Sequence, residues 1–173
     1  MTRGKLAKEA VATLEIISHS TAETRRIGHK LGRALKPGDV LLLQGSFGAG
    51  KTVMVQGIAK GLGVAEPVIS PSFTLVNEYR AGKIHGSIPV YHADLYRINS
   101  VDEALGLGLD EYLAGGGIFI AEWPENVAEI WPKERLWINL QVAGTNERII
   151  RMDAQGIRYV EILQELEKAL GKM

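Results

Sequence analysis

Gly45-Ser46-Phe47-Gly48-Ala49-Gly50-Lys51-Thr52 is the stretch that decides how this chain is read. It fits the phosphate-loop pattern Gly-x-x-x-x-Gly-Lys-Thr, and it follows an apolar run, Val40 to Leu43, that reads as a strand. A helix-like segment from Lys51 to Leu62 comes next, so strand, glycine-rich bend and helix stand in the order the pattern requires. Small residues at Gly45, Gly48, Ala49 and Gly50 let backbone fold closely around phosphates, and the helix start offers unpaired N–H groups and a positive dipole end. Lys51 then reaches the terminal phosphates of a nucleotide, and the Thr52 hydroxyl is a magnesium ligand.

Composition sets the outer limits. The chain has 173 residues, which suits a single domain over 1–173 with a sizeable core. Its 20 Lys/Arg and 20 Asp/Glu cancel, so net charge points to no polyanionic partner. Residues 1–36 nevertheless carry eight Lys/Arg against three Glu, and residues 94–135 carry nine acids against three bases. There is no cysteine, which removes disulfides and thiolate metal sites and suits a reducing cytoplasm. His19, His29, His85 and His92 show no metal-ligand spacing. With no membrane-length apolar run and a charged start, the expectation is a cytoplasmic protein with no membrane attachment.

Along the chain, alternation over Val11–Ile17 predicts a strand, and Ser20 with Glu23 predicts a capping box for a helix striped by Ile27, Leu31, Ala34 and Leu35. Pro37-Gly38 stops that helix, and a strand is expected over Asp39–Gln44. After the loop helix, ended by Gly61 and Gly63, Phe73–Arg80 and Ile84–Tyr91 read as a hairpin turning at Ala81-Gly82-Lys83. Short helices broken by Gly106 and Gly108 are expected over Val101–Leu113, and Gly117–Ala121 is a compact buried strand. Arg135–Val142 and Arg148–Asp153 read as strands joined by Gly144-Thr145-Asn146, before a closing helix marked by Val160, Leu163, Leu166 and Leu170. The fold class is α/β, a P-loop NTPase fold of three layers, with a mixed central sheet flanked by helices.

Hydrolysis needs more than a phosphate loop: an acid near the metal and a group that orients water. Glu122 ends the apolar strand at the edge where ligands of open α/β sheets gather. It suits either role, and the sequence does not separate them. Asp94 lies in Val90-Tyr91-His92-Ala93-Asp94-Leu95-Tyr96-Arg97, where strand alternation puts His92 and Asp94 on one face. A metal-side carboxylate is one reading of Asp94, and a structural ion pair with Arg97 is the other. Ser70-Pro71-Ser72-Phe73-Thr74 is a stiffened, hydroxyl-bearing segment that reads either as a phosphate-sensing loop or as a strand-entry turn. Trp123 packs over the nucleotide or closes the core.

Four segments in series carry a resemblance, Gly48-Ala49-Gly50-Lys51-Thr52, Ser70 to Val76, His92 to Arg97, and Glu122-Trp123-Pro124, and the early Glu23-Thr24 and late Arg148 fit it too. In order and spacing the chain resembles the TsaE (YjeE) family of small bacterial ATPases, over roughly residues 15–155. The resemblance implies an ATP- and Mg2+-binding subunit for threonylcarbamoyladenosine formation in tRNA. Its partners would be TsaB–TsaD-like proteins, whose assembly it resets between turnovers, with tRNA met indirectly through the complex. It implies that Lys51 and Thr52 serve phosphate and magnesium, that Glu122 and Asp94 serve metal and hydrolysis, and that Ser72 lies in a switch-like loop. Trp123 would lie at the nucleotide, with Ser20 to Thr24 toward the adenine. The family's Gly-Asp-Leu opening is Gly45-Ser46-Phe47 here, its Ser-Pro-Thr threonine is Ser72, and its frequent aromatic before Asp94 is Ala93.

Two other classes compete. A small-molecule P-loop kinase would need a basic lid, whereas Val101 to Pro132 is acidic. A guanine-nucleotide switch would need an Asn-Lys-x-Asp motif, which is absent. Direct tight tRNA binding is not expected, since no dense basic stripe with interleaved aromatics exists.

Overall fold

Strand β2 (Val40–Gln44) is apolar at four successive positions, and in the computed structural model, which describes residues 9–171, all four are buried at the centre of the sheet. Parallel neighbours flank it on both sides: β5 (Ile118–Glu122) and β6 (Arg135–Val142). The remaining strands are β1 (Val11–Ser18), β3 (Val76–Arg80), β4 (Pro89–Asp94) and β7 (Arg148–Gln155), giving the order β1-β7-β6-β2-β5-β4-β3. β4, β5, β2 and β6 run parallel, and antiparallel pairs close both edges. The mixed α/β architecture expected from the sequence is thus present.

Alternation along the strands divides the core in two. Leu41, Leu43, Ile118 and Ile120 face helices α1 (Thr21–Ala34), α2 (Lys51–Gly61) and α5 (Ile157–Ala169). Val40, Leu42, Phe119 and Ala121 face α3 (Val101–Gly106), α4 (Leu109–Ala114) and a 3-10 segment, Pro124–Ile130. At the head of α1 the Ser20 hydroxyl accepts from Glu23 N at 3.0 Å, while Glu23 accepts from His19 N, one residue earlier than in the usual box.

α1 and α2 meet through glycines. A Cβ on Gly32 would lie 2.1 Å from the Ile58 carbonyl oxygen, one on Gly57 2.2 Å from that of Arg25, and one on Gly61 2.1 Å from that of His29. Only hydrogen fits at these crossings. Gly61 is thus both the last residue of α2 and a packing residue, and Gly63, in the left-handed region at φ 77°, makes the turn that follows, so the two glycines end the helix as expected. At the other end of β2, the Asp39 carboxylate is buried just before the strand, takes the Lys36 N–H, and receives two bonds from Arg158 of α5 at 2.8 and 3.2 Å.

The hairpin differs from its sequence reading. β3 begins at Val76, since Pro71–Thr74 forms turns closed by Leu75 N donating to Pro71 O, and Leu75 itself has φ 68°. β4 begins at Pro89, and its first residue is where a proline is tolerated. Between them Lys83–His85 forms a 3-10 turn, leaving Ile84 97% exposed instead of in a strand. The Gly117–Ala121 strand is shifted by one and includes Glu122, and the Arg148–Asp153 strand runs on to Gln155.

Gly57→Ala is expected to destabilise the fold by about 2–3 kcal/mol through overpacking against the Arg25 backbone. Chemical denaturation measures it, and Gly38→Ala, at a position with open space but φ 90°, should lose only about 1 kcal/mol.

Candidate active site

Parallel register brings the chemistry to one level. Leu43 pairs with Glu122, and Glu122 pairs with Asp94, so the last residues of β5 and β4 stand beside the point where β2 enters the phosphate loop. Within the loop, Gly48 and Gly50 adopt left-handed φ values of 75° and 99°, and a Cβ on Gly45 would come within 2.6 Å of the Leu140 carbonyl oxygen on β6. α2 starts at Lys51, and the N–H groups of its first turn have no intrahelical acceptors.

These elements enclose a cleft of about 330 Å³ lined by Gly48, Gly50, Lys51, Thr52, Ser72, Asp94, Glu122 and Trp123, with Phe47, Val53 and Ser70. Of the candidates of the sequence reading, Gly45, Ala49 and the Ser20–Thr24 stretch do not border it; Ala49 is buried beneath the loop. The Thr52 hydroxyl donates to Glu122 Oε1 at 3.3 Å, and His92 Nε2 lies 2.8 Å from the same oxygen. Glu122 is 3% exposed, unlike an acid merely trailing a strand. Asp94 accepts the Tyr96 N–H at 3.0 Å, and the Ser70 and Ser72 hydroxyls at 3.3 and 3.5 Å. The alternative pairing fails: among the described residues no ion pair joins Asp94 to Arg97, whose guanidinium sits over the Phe73 ring at 5.1 Å.

Lys51 is buried, donates to the carbonyls of Gly45 and Ser46, and places Nζ 4.3 Å from the centre of the Trp123 ring. Burial pulls its ammonium below the ordinary lysine value, while the negative charges of Glu122, Glu125 and Asp94 oppose that pull. Trp123 itself has φ 59°, so the chain turns sharply after Glu122. Its ring packs with Phe47 at 5.1 Å and Tyr96 at 5.0 Å, and Phe47 meets Tyr96 edge-on at 4.6 Å. The Phe47 departure from the family pattern thus links the phosphate loop to the ends of β5 and β4.

The donor set suits a hard cation. Hydroxyl and carboxylate oxygens match Mg2+, which takes one or two protein carboxylates and fills its remaining positions with water and phosphate oxygens. Among the described residues no three His, Asp or Glu side chains converge as a metal cage.

The resemblance touches Arg148, but its partners have no signature in the sequence. Arg148, at the start of β7, donates to the carbonyls of Gly48 (3.1 Å) and Ala49 (3.2 Å) while also holding Gly144 and Glu147. Burial raises the Glu125 carboxyl above its usual range, with Lys51 opposing. Thr24 lies under Gly50 with its hydroxyl 2.7 Å from that of Ser18, leaving the exposed Thr21 and Ala22 as the open part of the Ser20–Thr24 stretch.

Strand order, phosphate loop and strand-end acids define an α/β protein of the P-loop NTPase type. The family model described as "Threonylcarbamoyl adenosine biosynthesis protein TsaE" matches residues 18–150. The tRNA threonylcarbamoyladenosine biosynthesis protein TsaE of Bacillus subtilis is 44% identical over 146 residues, covering 84% of this chain and 89% of that one. Its counterpart in Treponema pallidum is 39% identical over 137 residues, covering 79% and 98%. The crystal structure of Bacillus subtilis YdiB superposes with a TM-score of 0.79 at 38% identity, across 94% of this chain and 99% of that one. The chain belongs to the TsaE family. No helix among the described residues is long and apolar enough to cross a membrane.

Arg148→Ala is expected to destabilise the fold by about 1–3 kcal/mol, since the charge-assisted bonds that brace the loop carbonyls are lost. Chemical denaturation reads the change.

Proposed function

We propose that this chain binds Mg·ATP in the cleft and hydrolyses it slowly, as the nucleotide-driven subunit of a cytoplasmic assembly that forms threonylcarbamoyladenosine in tRNA. TsaB–TsaD-like proteins are its partners in this reading, with tRNA reached through them. The observation that carries it is the Thr52–Glu122 contact with Asp94 level on the next strand: a magnesium-type hydroxyl and two acids face one phosphate loop. The names of the relatives supply the tRNA modification.

Each residue then has a chemical task. The loop N–H groups and α2 dipole hold the phosphates, and Lys51 moves from the Gly45 and Ser46 carbonyls to the terminal phosphates, shielded by Trp123. Thr52 and Asp94 would hold Mg2+, which neutralises charge on the phosphate oxygens when bound. Glu122 orients the attacking water with the oxygen not engaged by Thr52. The Ser70 and Ser72 hydroxyls, bonded to Asp94 and to each other at 2.8 Å, tie the 70–74 loop to the metal side. A metabolite-kinase reading lacks comparable support, because α3 and α4 bring acids in their first turns where a lid would bring bases.

Hydrolysis by the purified chain should be slow and should change when TsaB–TsaD-like proteins are added; fast turnover indifferent to them would defeat this reading, as would preference for Mg·GTP. Lys51→Ala should weaken Mg·ATP binding by about 10- to 100-fold, the loss of charge-assisted bonds to phosphate. Glu122→Gln should cut the hydrolysis rate by about 100-fold or more with Mg·ATP affinity nearly kept, as for loss of a group that orients the nucleophile; affinity collapsing together with rate would assign Glu122 to the metal instead.

A further inference from the structure

Two buried atoms frame a question that phosphate chemistry does not answer. His92 is fully enclosed: its Nε2 lies 2.8 Å from Glu122 Oε1, while its Nδ1 is buried with no hydrogen-bond partner. We propose that His92 is the positioning residue of this site: its Nε2–H aims the Glu122 carboxylate. The proposal rests on the hydrolytic reading above and names what makes that carboxylate effective.

The hydrogen-bond inventory fixes the direction. A neutral imidazole carries one N–H, and an ionised carboxylate only accepts. With the proton on Nδ1, Nε2 and Oε1 would confront each other as two acceptors, and a buried N–H would have no acceptor. Both penalties vanish when the proton is on Nε2, and what remains is a bare lone pair on Nδ1. His92 therefore donates.

Geometry then limits Glu122. His92 pairs in register with Ile120 and Asp94 with Glu122, so the imidazole reaches diagonally across one β4–β5 step to the strand-end carboxylate. Thr52 donates to the same Oε1 from α2. Two donors from different elements thus converge on one oxygen, stop rotation of the carboxylate, and leave its second oxygen to the cleft. Thr52 is also a phosphate-side residue, so its bond shifts with the ligand; the bond from His92 comes from the sheet interior and does not. His92 touches neither nucleotide nor metal in this arrangement. Its loss should lower the rate of the chemical step and spare binding.

The test compares His92→Gln, whose amide N–H reaches the place of Nε2, with His92→Phe, which fills the space without a donor. Steady-state hydrolysis, Mg·ATP titration and thermal melting are measured on each. The expected pattern is kcat reduced 10- to 100-fold in H92F, KM and Kd within about threefold of wild type, and kcat at least partly restored in H92Q. H92F at wild-type kcat, or folded H92Q no better than folded H92F, overturns the proposal, as does a change confined to KM. Should the variants fail to fold, nitrogen-15 spectra of the wild-type ring decide it: a proton on Nε2 supports the proposal and a proton on Nδ1 alone overturns it. A wild-type chain that neither binds nor hydrolyses Mg·ATP would sink the hydrolytic reading instead, leaving the ring spectrum to judge the His92 geometry by itself.

Discussion

The site depends on parallel pairing in register of β2, β5 and β4. A parallel sheet has all its carboxyl ends on one side, and here the ladder sets Leu43, Glu122 and Asp94 in a single row. A shift of one residue in β5 would turn Glu122 to the opposite face, away from Thr52 and α2. Register is held by burial on both faces: Ile118 and Ile120 go to one half of the core, Phe119 and Ala121 to the other, all at most 1% exposed. Packing far from the chemistry thereby determines which carboxylate meets the loop.

The polar groups gathered there are uncomfortable without one another. Lys51, His92, Asp94 and Glu122 are all buried, and each depends on a neighbour's charge or hydrogen bond. The sheet and the two helices keep them close with rigid backbone, and the glycine crossings bring α1 against the full length of α2. Arg148 adds a brace from β7, so the phosphate loop is held from beneath, from the side and, through Phe47, from the rim. Such a loop meets a ligand already shaped, which limits the ordering entropy lost on binding.

How much of this the sequence disclosed follows from the range of each interaction. The phosphate loop and the α1 cap were legible because their signals lie within a few adjacent residues. β2 and β5 were legible because a strand buried on both faces is a short apolar run, and the acid ending β5 stood out against it. The hairpin differs at the start of each strand: apolar Phe73 and Ile84 lengthen the sequence pattern, but the positive φ of Leu75 and the proline at 89 limit the pairing. The bonds of Arg148 to Gly48 and of His92 to Glu122 span 100 and 30 residues, and no local pattern announces either partner. The aromatic contact among Phe47, Tyr96 and Trp123 joins three separate loops for the same reason.

The strand order has a consequence for synthesis. β2 and its phosphate loop are made early, but both of β2's neighbours lie in the later half of the chain, and the Val40 N–H is held by the Tyr159 hydroxyl, 119 residues downstream. On the ribosome the loop segment would therefore emerge with no strand to lean on, its apolar run open to solvent and to chaperones. The cleft cannot form at that stage, because the acids opposite have not been translated. The cleft is thus completed late, and a chain released before β5 would lack one of its walls.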